Sequence, residues 1–292
     1  MIFDEKFLKE EIRCDFLVDQ KRKKIWSVEL HLLEEFDRIC QKYGLKYWAA
    51  FGTLLGAVRH NGFIPWDDDL DVVMMRPDYE IFRSVVQSEL PEYYFFQDTF
   101  TDVIAFTFSK IRDSRTTAFE PKFTKNANQG IYIDIFPMDD YFETEKPNIY
   151  EVEKELYYAM MRPEMLVAQL QQRFESILLP FDLLQDILDA SPRDQMKQYE
   201  LFLQNHSGTS KQVGYLPDLF NMPKAWRSNR EIFETMKYTP FENIQIPIPK
   251  ETDEILQYLY GKDYMTPVQK TGAHVVEHFD PDMSYLEYIM SI

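Results

Sequence analysis

The amino-acid sequence predicts an α+β protein in which a mixed half of short strands and helices precedes a mostly helical half. Two observations carry this prediction. Apolar residues recur at helical spacing over residues 23–43, and short apolar runs bounded by Gly, Asn and Pro follow them. Helical spacing then dominates about residues 147–180, 192–206 and 252–260. We predict a catalytic region over residues 1–145 and a mostly helical, substrate-binding region over 146–292, packed as one unit.

The elements of the first half follow from their local signals. The helix over 23–43 is expected to end at Gly44, since glycine favours the left-handed conformation at a helix C-cap. A short aromatic and apolar run predicts a strand over 45–51, and a glycine turn then opens a helix over 54–60. The remaining predicted elements are a strand over 68–75, a helix over 77–90, strands near 93–97, 103–111 and 130–136 with an end at Pro137, and an extended segment over 244–249.

Composition and charge exclude several classes of protein. The chain has 292 residues, of which 45% are apolar and 15% aromatic, so it can bury a sizeable core. Its net charge of −17 argues against sequence-independent binding of nucleic acid, because phosphate backbones would be repelled. No apolar run is long enough to span a membrane, and charges interrupt the first residues, which argues against a signal peptide. We predict a cytoplasmic protein, with a peripheral position at the inner membrane face left open.

Alternating carboxylates mark the candidate site. If Asp67, Asp69 and Asp71 lie on a strand, its period of two residues places all three on one face. Such close like charges raise one another's pKa, and a divalent cation would relieve the repulsion. All-oxygen ligands favour Mg2+ or Mn2+. Asp134, flanked by isoleucines, supplies a further strand-borne carboxylate whose burial is costly unless it is paired or bound to metal.

The turn at Gly52 and Thr53 complements this acidic cluster. A glycine turn at a helix N-terminus exposes backbone N–H groups that favour an anion, so a phosphate could lie between the turn and the metal. Arg59 and Lys110 are candidate clamps on phosphate oxygens, or alternatively ion-pair partners of the acidic cluster. His60 is a candidate base, although its position at a helix end next to Arg59 favours a structural role. Together these residues outline a metal-dependent phosphate-transfer site.

At this point the sequence resembles a known family. The run GTLLGAVRHNGFIPWDDDLDVVMMRPDYE over residues 52–80 is similar to the signature of the LicD family, which is related to fukutin and fukutin-related protein. Further matching runs lie at 109–114, 130–139 and 258–267. The resemblance implies a nucleotidyltransferase-like core of the polymerase beta type, with a mixed sheet flanked by helices.

The resemblance also implies roles for individual residues. The positions that match the family's site are the metal-holding pair Asp69 and Asp71, the preceding acid Asp67, the third carboxylate Asp134, and the phosphate-gripping Gly52 and Thr53. Asp69, Asp71 and Asp134 are therefore the expected ligands of Mg2+ or Mn2+. Asp134 is the first candidate for the general base that accepts the proton of the acceptor hydroxyl, and Asp67 is the second.

The function implied by the resemblance is metal-dependent transfer of phosphocholine from CDP-choline to a hydroxyl of a cell-surface glycan or teichoic acid precursor, with release of CMP. A lipid-linked acceptor is left open. Donors with ethanolamine, glycerol or ribitol in place of choline also fit. The alternative enzyme function is that of a nucleotidyltransferase, which has the same metal-binding core but transfers a nucleotide and releases pyrophosphate. A non-catalytic choline- or glycan-binding module is the alternative outside enzymes, and the intact acidic positions argue against it.

Aromatic side chains bear on the choline hypothesis, because a quaternary ammonium is recognised by surrounding rings without hydrogen bonds. Trp66, Tyr260 and Tyr264 lie in the matching runs and are the candidate cage residues. Further rings that the sequence leaves open as core or cage are Trp48, Trp226, Tyr157 and Tyr158.

Overall fold

The described part of the protein is a mixed α+β structure. The computed structural model describes residues 5–102, 107–121, 126–141, 210–215, 226–269 and 276–292, together with separate positions between 194 and 208. A mixed sheet of seven strands is flanked by helices, which confirms the predicted class. The helices predicted over 147–180 lie outside the described residues, whereas the positions described between 194 and 204 are helical.

Strands and helices follow one another in this order: β1 (Glu11–Arg13), β2 (Phe16–Val18), α1 (Gln20–Tyr43), β3 (Trp48–Ala49), α2 (Phe51–His60), β4 (Asp71–Met75), α3 (Arg76–Glu89), β5 (Tyr94–Gln97), β6 (Ser109–Asp113), β7 (Thr117–Phe119), β8 (Ile131–Tyr141), β9 (Gln212–Gly214), β10 (Arg227–Asn229), β11 (Lys237–Phe241), β12 (Ile244–Ile248), α4 (Thr252–Tyr260), β13 (His278–Asp280) and α5 (Tyr285–Ser291).

Helix α1 has a defined cap at each end. The Asp19 side chain accepts a hydrogen bond from the Arg22 backbone N–H, which starts the helix three residues before the predicted position. Gly44 adopts the left-handed conformation, with φ of 67°, and caps the other end as predicted. The apolar stripe of α1, which includes Trp26 and Leu33, is buried in the core.

The long strand β8 organises the sheet. It runs parallel to β4 and antiparallel to β6 and β9, while β3 lies antiparallel to β4 on the other side. The predicted end of this strand at Pro137 is wrong, because Pro137 pairs with Met74 inside the strand. Pairing of β8 with β6 ends at Ile135. Pro137 has no N–H to donate, but no hydrogen bond between β8 and β6 is lost, because the two strands are no longer paired at that point.

Strands from the second half of the chain pair with strands of the first half. Strand β9 pairs with the end of β8, and β13 near the C-terminus pairs with β7. The buried guanidinium of Arg76 binds Asp139 of β8 and also Glu200, at donor–acceptor distances of 2.6 to 2.7 Å. The boundary at residues 145 and 146 stays a prediction. Within the described ranges, no helix combines the length and apolar character that crossing a bilayer demands.

Candidate active site

The acidic loop, residues 67–69, leads into the central sheet. The prediction of a strand from residue 68 is wrong, because β4 begins only at Asp71 and the three preceding aspartates form an irregular segment. The Asp67 carbonyl oxygen accepts hydrogen bonds from the Arg22 guanidinium (2.6 Å) and the Trp26 indole (3.0 Å) of α1. Tertiary hydrogen bonds from a helix, and not strand pairing, therefore hold the acidic loop.

Asp71 and Asp134 are brought together by the sheet itself. They are register partners on the adjacent parallel strands β4 and β8, so their side chains project from the same face. Both residues are buried, with 7% and 8% of their surface exposed. The sequence identified Asp71 by its alternation with Asp67 and Asp69, and Asp134 by its place between isoleucines on a separate strand. The register adds that the two residues lie side by side on neighbouring strands.

Thr53 connects the glycine turn to this pair. Its hydroxyl oxygen accepts a hydrogen bond of 2.8 Å from the Asp71 backbone N–H. The Ala50 backbone N–H donates to the Asp71 carbonyl oxygen at 3.0 Å, so both main-chain groups of Asp71 are held by the start of α2. Because a hydroxyl can donate while it accepts, Thr53 keeps one proton for a further acceptor.

Electrostatics at this face favours a bound cation. Burial raises the pKa of the Asp71 carboxyl well above its usual range, and the carboxylates of Asp69, Asp134 and Asp67 raise it further. Burial also raises the pKa of Asp134 to about 6, against the opposing effect of Lys110. The free protein therefore holds several carboxylates where full ionisation is costly.

Lys110 places a positive charge directly beside Asp134. Its ammonium donates to Asp134 Oδ1 at 2.5 Å and lies 3.4 Å from the centre of the Tyr132 ring and 5.2 Å from that of Phe108. Burial lowers the pKa of Lys110. Lys110 thus forms the carboxylate ion pair that the sequence left open as an alternative to a phosphate clamp.

Gly52 allows α2 to approach the acidic loop. A Cβ atom at this position would come within 2.6 Å of Asp67 Oδ2. The neighbouring Phe51 has a φ of 41°, a left-handed conformation that bulky residues rarely adopt. Such strain persists only where surrounding contacts enforce it, and it is common at functional sites.

We expect Gly52→Ala to lower turnover strongly while leaving the free energy of unfolding unchanged or raised. Alanine is the better helix former by about 1 kcal/mol, and the obstructing atom belongs to a side chain that can move. The Asp67 carboxylate would be displaced from its position beside the turn. Steady-state kinetics and thermal unfolding measure the two effects.

Gly56→Ala is the matched control in the same helix. Its Cβ would meet the backbone oxygen of Gly62 at 2.4 Å, which forces the main chain apart. This variant should lose stability by about 1–3 kcal/mol. A Gly52→Ala protein that retains full turnover would show that the approach of α2 to Asp67 has no functional role.

Arg59, near the end of α2, contacts the segment that follows α4. Arg59 donates to the Tyr264 carbonyl oxygen at 2.7 Å and to the His60 ring at 2.8 Å. Burial and the neighbouring Arg59 lower the pKa of His60 to about 4, so its imidazole is neutral at pH 7. Partial burial, followed by the charges of Asp71, Asp67 and Asp69, raises the pKa of the Tyr260 phenol.

The other predicted aromatic residues have different surroundings. The Tyr264 ring is buried and its hydroxyl donates to Asp253 at 2.5 Å. Trp66, directly before the acidic loop, is half-buried with its ring edge-to-face against Phe16 at 6.1 Å. Trp48 and Trp226 are fully buried. Tyr157 and Tyr158 lie outside the described residues.

The sequence reasoning missed two groups of residues. Arg22, Trp26 and Glu29 share the face of α1 that meets the acidic loop. Glu29 is 1% exposed, its Oε2 has no hydrogen-bond partner among the described residues, and burial followed by the charges of the acidic loop raises its pKa. A glutamate within the apolar stripe of α1 was the available signal.

The second missed group is the aromatic patch, formed by Phe51, Phe108 and Phe136. All three rings are half-buried. Phe108 and Phe136 stack with centres 4.7 Å apart, and Phe51 packs edge-to-face on Phe136 at 5.2 Å. No local pattern identifies this patch, because its members come from three separate elements.

Comparison with known proteins shows the family of the chain. A family model described as LicD/FKTN/FKRP, nucleotidyltransferase domain, matches residues 44–176. The lipopolysaccharide cholinephosphotransferase LicD of Haemophilus influenzae is 30% identical over 247 residues, which cover 81% of this chain and 88% of that protein. An uncharacterised protein of Rickettsia typhi is 46% identical over 55 residues, or 19% of this chain and 18% of its own. The predicted family and phosphotransferase class are thereby confirmed: the chain belongs to the LicD family.

Proposed function

We propose that the protein transfers phosphocholine from CDP-choline to a hydroxyl of a cell-surface glycan or teichoic acid precursor and releases CMP. The observation that carries the proposal is the in-register pair Asp71 and Asp134 beside the Thr53 turn. The Haemophilus influenzae relative, by its name a lipopolysaccharide cholinephosphotransferase, supports choline as the transferred alcohol and a glycan as the acceptor. The proposal includes a core of the polymerase beta type.

We propose Mg2+ or Mn2+ as the cofactor, held by Asp71 and Asp134 from the strands and Asp69 from the acidic loop. The donors are all oxygens, which suits these ions. The described side chains form no ready-made group of three metal-ligating residues, so the acidic loop would have to contribute Asp69 as the ion binds. A cation's place beside Asp134 is taken in the free protein by the Lys110 ammonium. When bound, the metal would neutralise charge on the donor's phosphates.

The transfer itself needs an oriented nucleophile and a proton acceptor. The acceptor hydroxyl oxygen attacks the phosphorus that carries choline. A new P–O bond forms there, and the bond from this phosphorus to the bridging oxygen breaks with its electron pair passing to CMP. The hydroxyl proton passes to Asp134, which has two carboxylate oxygens, so that one can face the cation while the other accepts the proton.

Neighbouring residues bind and orient the donor in this scheme. The Thr53 hydroxyl donates its remaining proton to a phosphate oxygen, and Arg59 holds the segment at Tyr264 against α2. Lys110, released from Asp134, pairs with a phosphate oxygen. A lipid-linked acceptor would place the protein at the cytoplasmic face of the inner membrane, and this location is part of the proposal.

Thermal stabilisation by candidate donors tests the proposal directly. With Mg2+ present, CDP-choline is expected to stabilise the protein more than CDP-ethanolamine, CDP-glycerol or CDP-ribitol. Binding at one hundred times Kd adds about 2.7 kcal/mol to the free energy of unfolding. Turnover should release CMP. Release of pyrophosphate from a nucleoside triphosphate would instead identify a nucleotidyltransferase, and a preference for another CDP-alcohol would change the donor.

A further inference from the structure

We infer that the aromatic patch binds the trimethylammonium group of choline. This inference rests on the proposed function and identifies the rings that recognise the choline headgroup of the donor. Two of its members continue the strands that carry the site. Phe136 lies two residues after Asp134 on β8, and Phe108 lies two residues before Lys110, directly before β6 begins. Because side chains of a strand alternate between faces, the Phe136 ring shares the face of Asp134, and the Phe108 ring stacks on it.

The side chains on this face form successive rungs across β8 and β6. Tyr132 and Arg112 are opposite each other on the first rung, Asp134 and Lys110 on the second. Continuing the same register places Phe136 opposite Phe108 on the third, in agreement with their stacked rings. Apolar rings thus follow the charged rung directly.

The spacing of these rungs fits phosphocholine. Consecutive rungs on one face are about 6.7 Å apart along a strand. Four single bonds separate the phosphorus of phosphocholine from its nitrogen, a reach of about 5 Å in a staggered chain. A phosphoryl group at the rung of Asp134 and Lys110 therefore brings its quaternary nitrogen to the rung of Phe136 and Phe108.

The chemistry of the patch selects a quaternary ammonium over a primary one. Phenylalanine rings offer a negative face to a cation and no hydrogen-bond acceptor for an N–H group. The Lys110 ammonium lies 5.2 Å from the Phe108 centre, and its hydrogen bond goes to Asp134 and not to the ring. Tyr215, which lies behind Phe136 at 5.0 Å, has its hydroxyl engaged with Thr107.

Buried rings hold the patch in place. Trp226 packs edge-to-face on Phe51 at 5.6 Å, and Tyr215 packs in the same way on Phe136. Both supporting rings are buried, with 0% and 4% of their surface exposed, whereas the three patch rings are half-buried. The patch is therefore a partly open aromatic surface on a rigid support.

The test compares donors that differ only at the headgroup. Isothermal titration with Mg2+ measures Kd for CDP-choline, CDP-ethanolamine and the neutral analogue CDP-3,3-dimethylbutanol, in which carbon replaces the charged nitrogen. Phe108→Leu and Phe136→Leu should each weaken CDP-choline by about 2- to 30-fold and the neutral analogue far less. Phe96→Leu is the matched control, since Phe96 is buried on β5 against Phe82 and should leave all three values unchanged.

A second variant avoids any loss of packing. Difluorophenylalanine at position 108 keeps the shape of the ring but weakens its negative face, so it should reduce the preference for CDP-choline over the neutral analogue. If both leucine variants and the fluorinated protein keep the wild-type preference, the aromatic patch does not bind choline, although the proposed function stands. If the wild-type protein shows no preference for CDP-choline, the proposed function itself fails.

Discussion

Asp71→Asn is expected to reduce turnover on the order of 10³-fold or more while leaving the metal-free protein at least as stable as the wild type. Asp71 is buried in register with Asp134, and its carboxyl is destabilised by the neighbouring carboxylates. A neutral amide of the same shape removes that repulsion and also removes a cation ligand. CMP release measures the first effect, and thermal unfolding in the presence of a chelator measures the second.

Asp68→Asn is the matched control within the acidic loop. It removes one negative charge close by without altering a proposed ligand, so turnover should stay within a few-fold of the wild type. Mg2+ should raise the unfolding temperature of the wild type and of this control, but not that of Asp71→Asn. An Asp71→Asn protein that keeps more than half of wild-type turnover at saturating Mg2+ would refute the ligand assignment.

Asp134→Asn is expected to lower turnover by about 10²–10⁴-fold, the usual contribution of a general base. In the wild type, kcat/KM should rise with pH as the Asp134 carboxyl ionises, since only the ionised form accepts a proton. The variant should lose this acid limb. Full rescue of the variant by excess Mg2+ or Mn2+ would instead make Asp134 a metal ligand only.

Lys110→Met removes the positive charge of the Lys110–Asp134 ion pair and leaves the proposed base, Asp134, in place. Lys110 lowers the pKa of Asp134, so its removal should move the acid limb of the wild-type profile to higher pH. A profile that does not move when Lys110 is replaced would contradict the assignment of that limb to Asp134.

The same carboxyl makes the stability of the metal-free protein depend on pH. Folding raises the pKa of Asp134 from 3.8 to about 6, so the folded state binds more protons than the unfolded chain between these values. The free energy of unfolding should therefore fall as pH rises from about 4 to 6. Asp134→Asn should flatten this part of the stability curve.

Local signals predicted the residues of the site better than its geometry. Gly44 ended α1 as expected because a C-cap depends only on neighbouring residues. Asp71 was identified from the alternating aspartates and Asp134 from its isoleucine neighbours, and both lie on strands as predicted. The strand expected from residue 68 begins only at Asp71, because bonds from Arg22 and Trp26 hold Asp67 in an irregular loop.

Features that depend on pairing between distant segments were not predictable in this way. Pro137 continues β8 since its strand lacks a β6 partner at that point, which is a property of register and not of proline. The aromatic patch joins α2, β8 and the residue before β6, so its rings meet only once the sheet has formed. Glu29 likewise became a member of the site only when α1 packed beside the acidic loop.

Because Trp66 lies next to the acidic loop, its fluorescence can report on the loop. Of the four tryptophans, Trp26, Trp48 and Trp226 are fully buried, whereas Trp66 is half-buried directly before Asp67. A dissolved quencher therefore reaches the indole of Trp66 in preference to the others. Iodide, an anion, is repelled by the carboxylates of the free loop and approaches more readily once a cation neutralises them. Tryptophan emission in iodide thus reports occupancy of the loop without any added label.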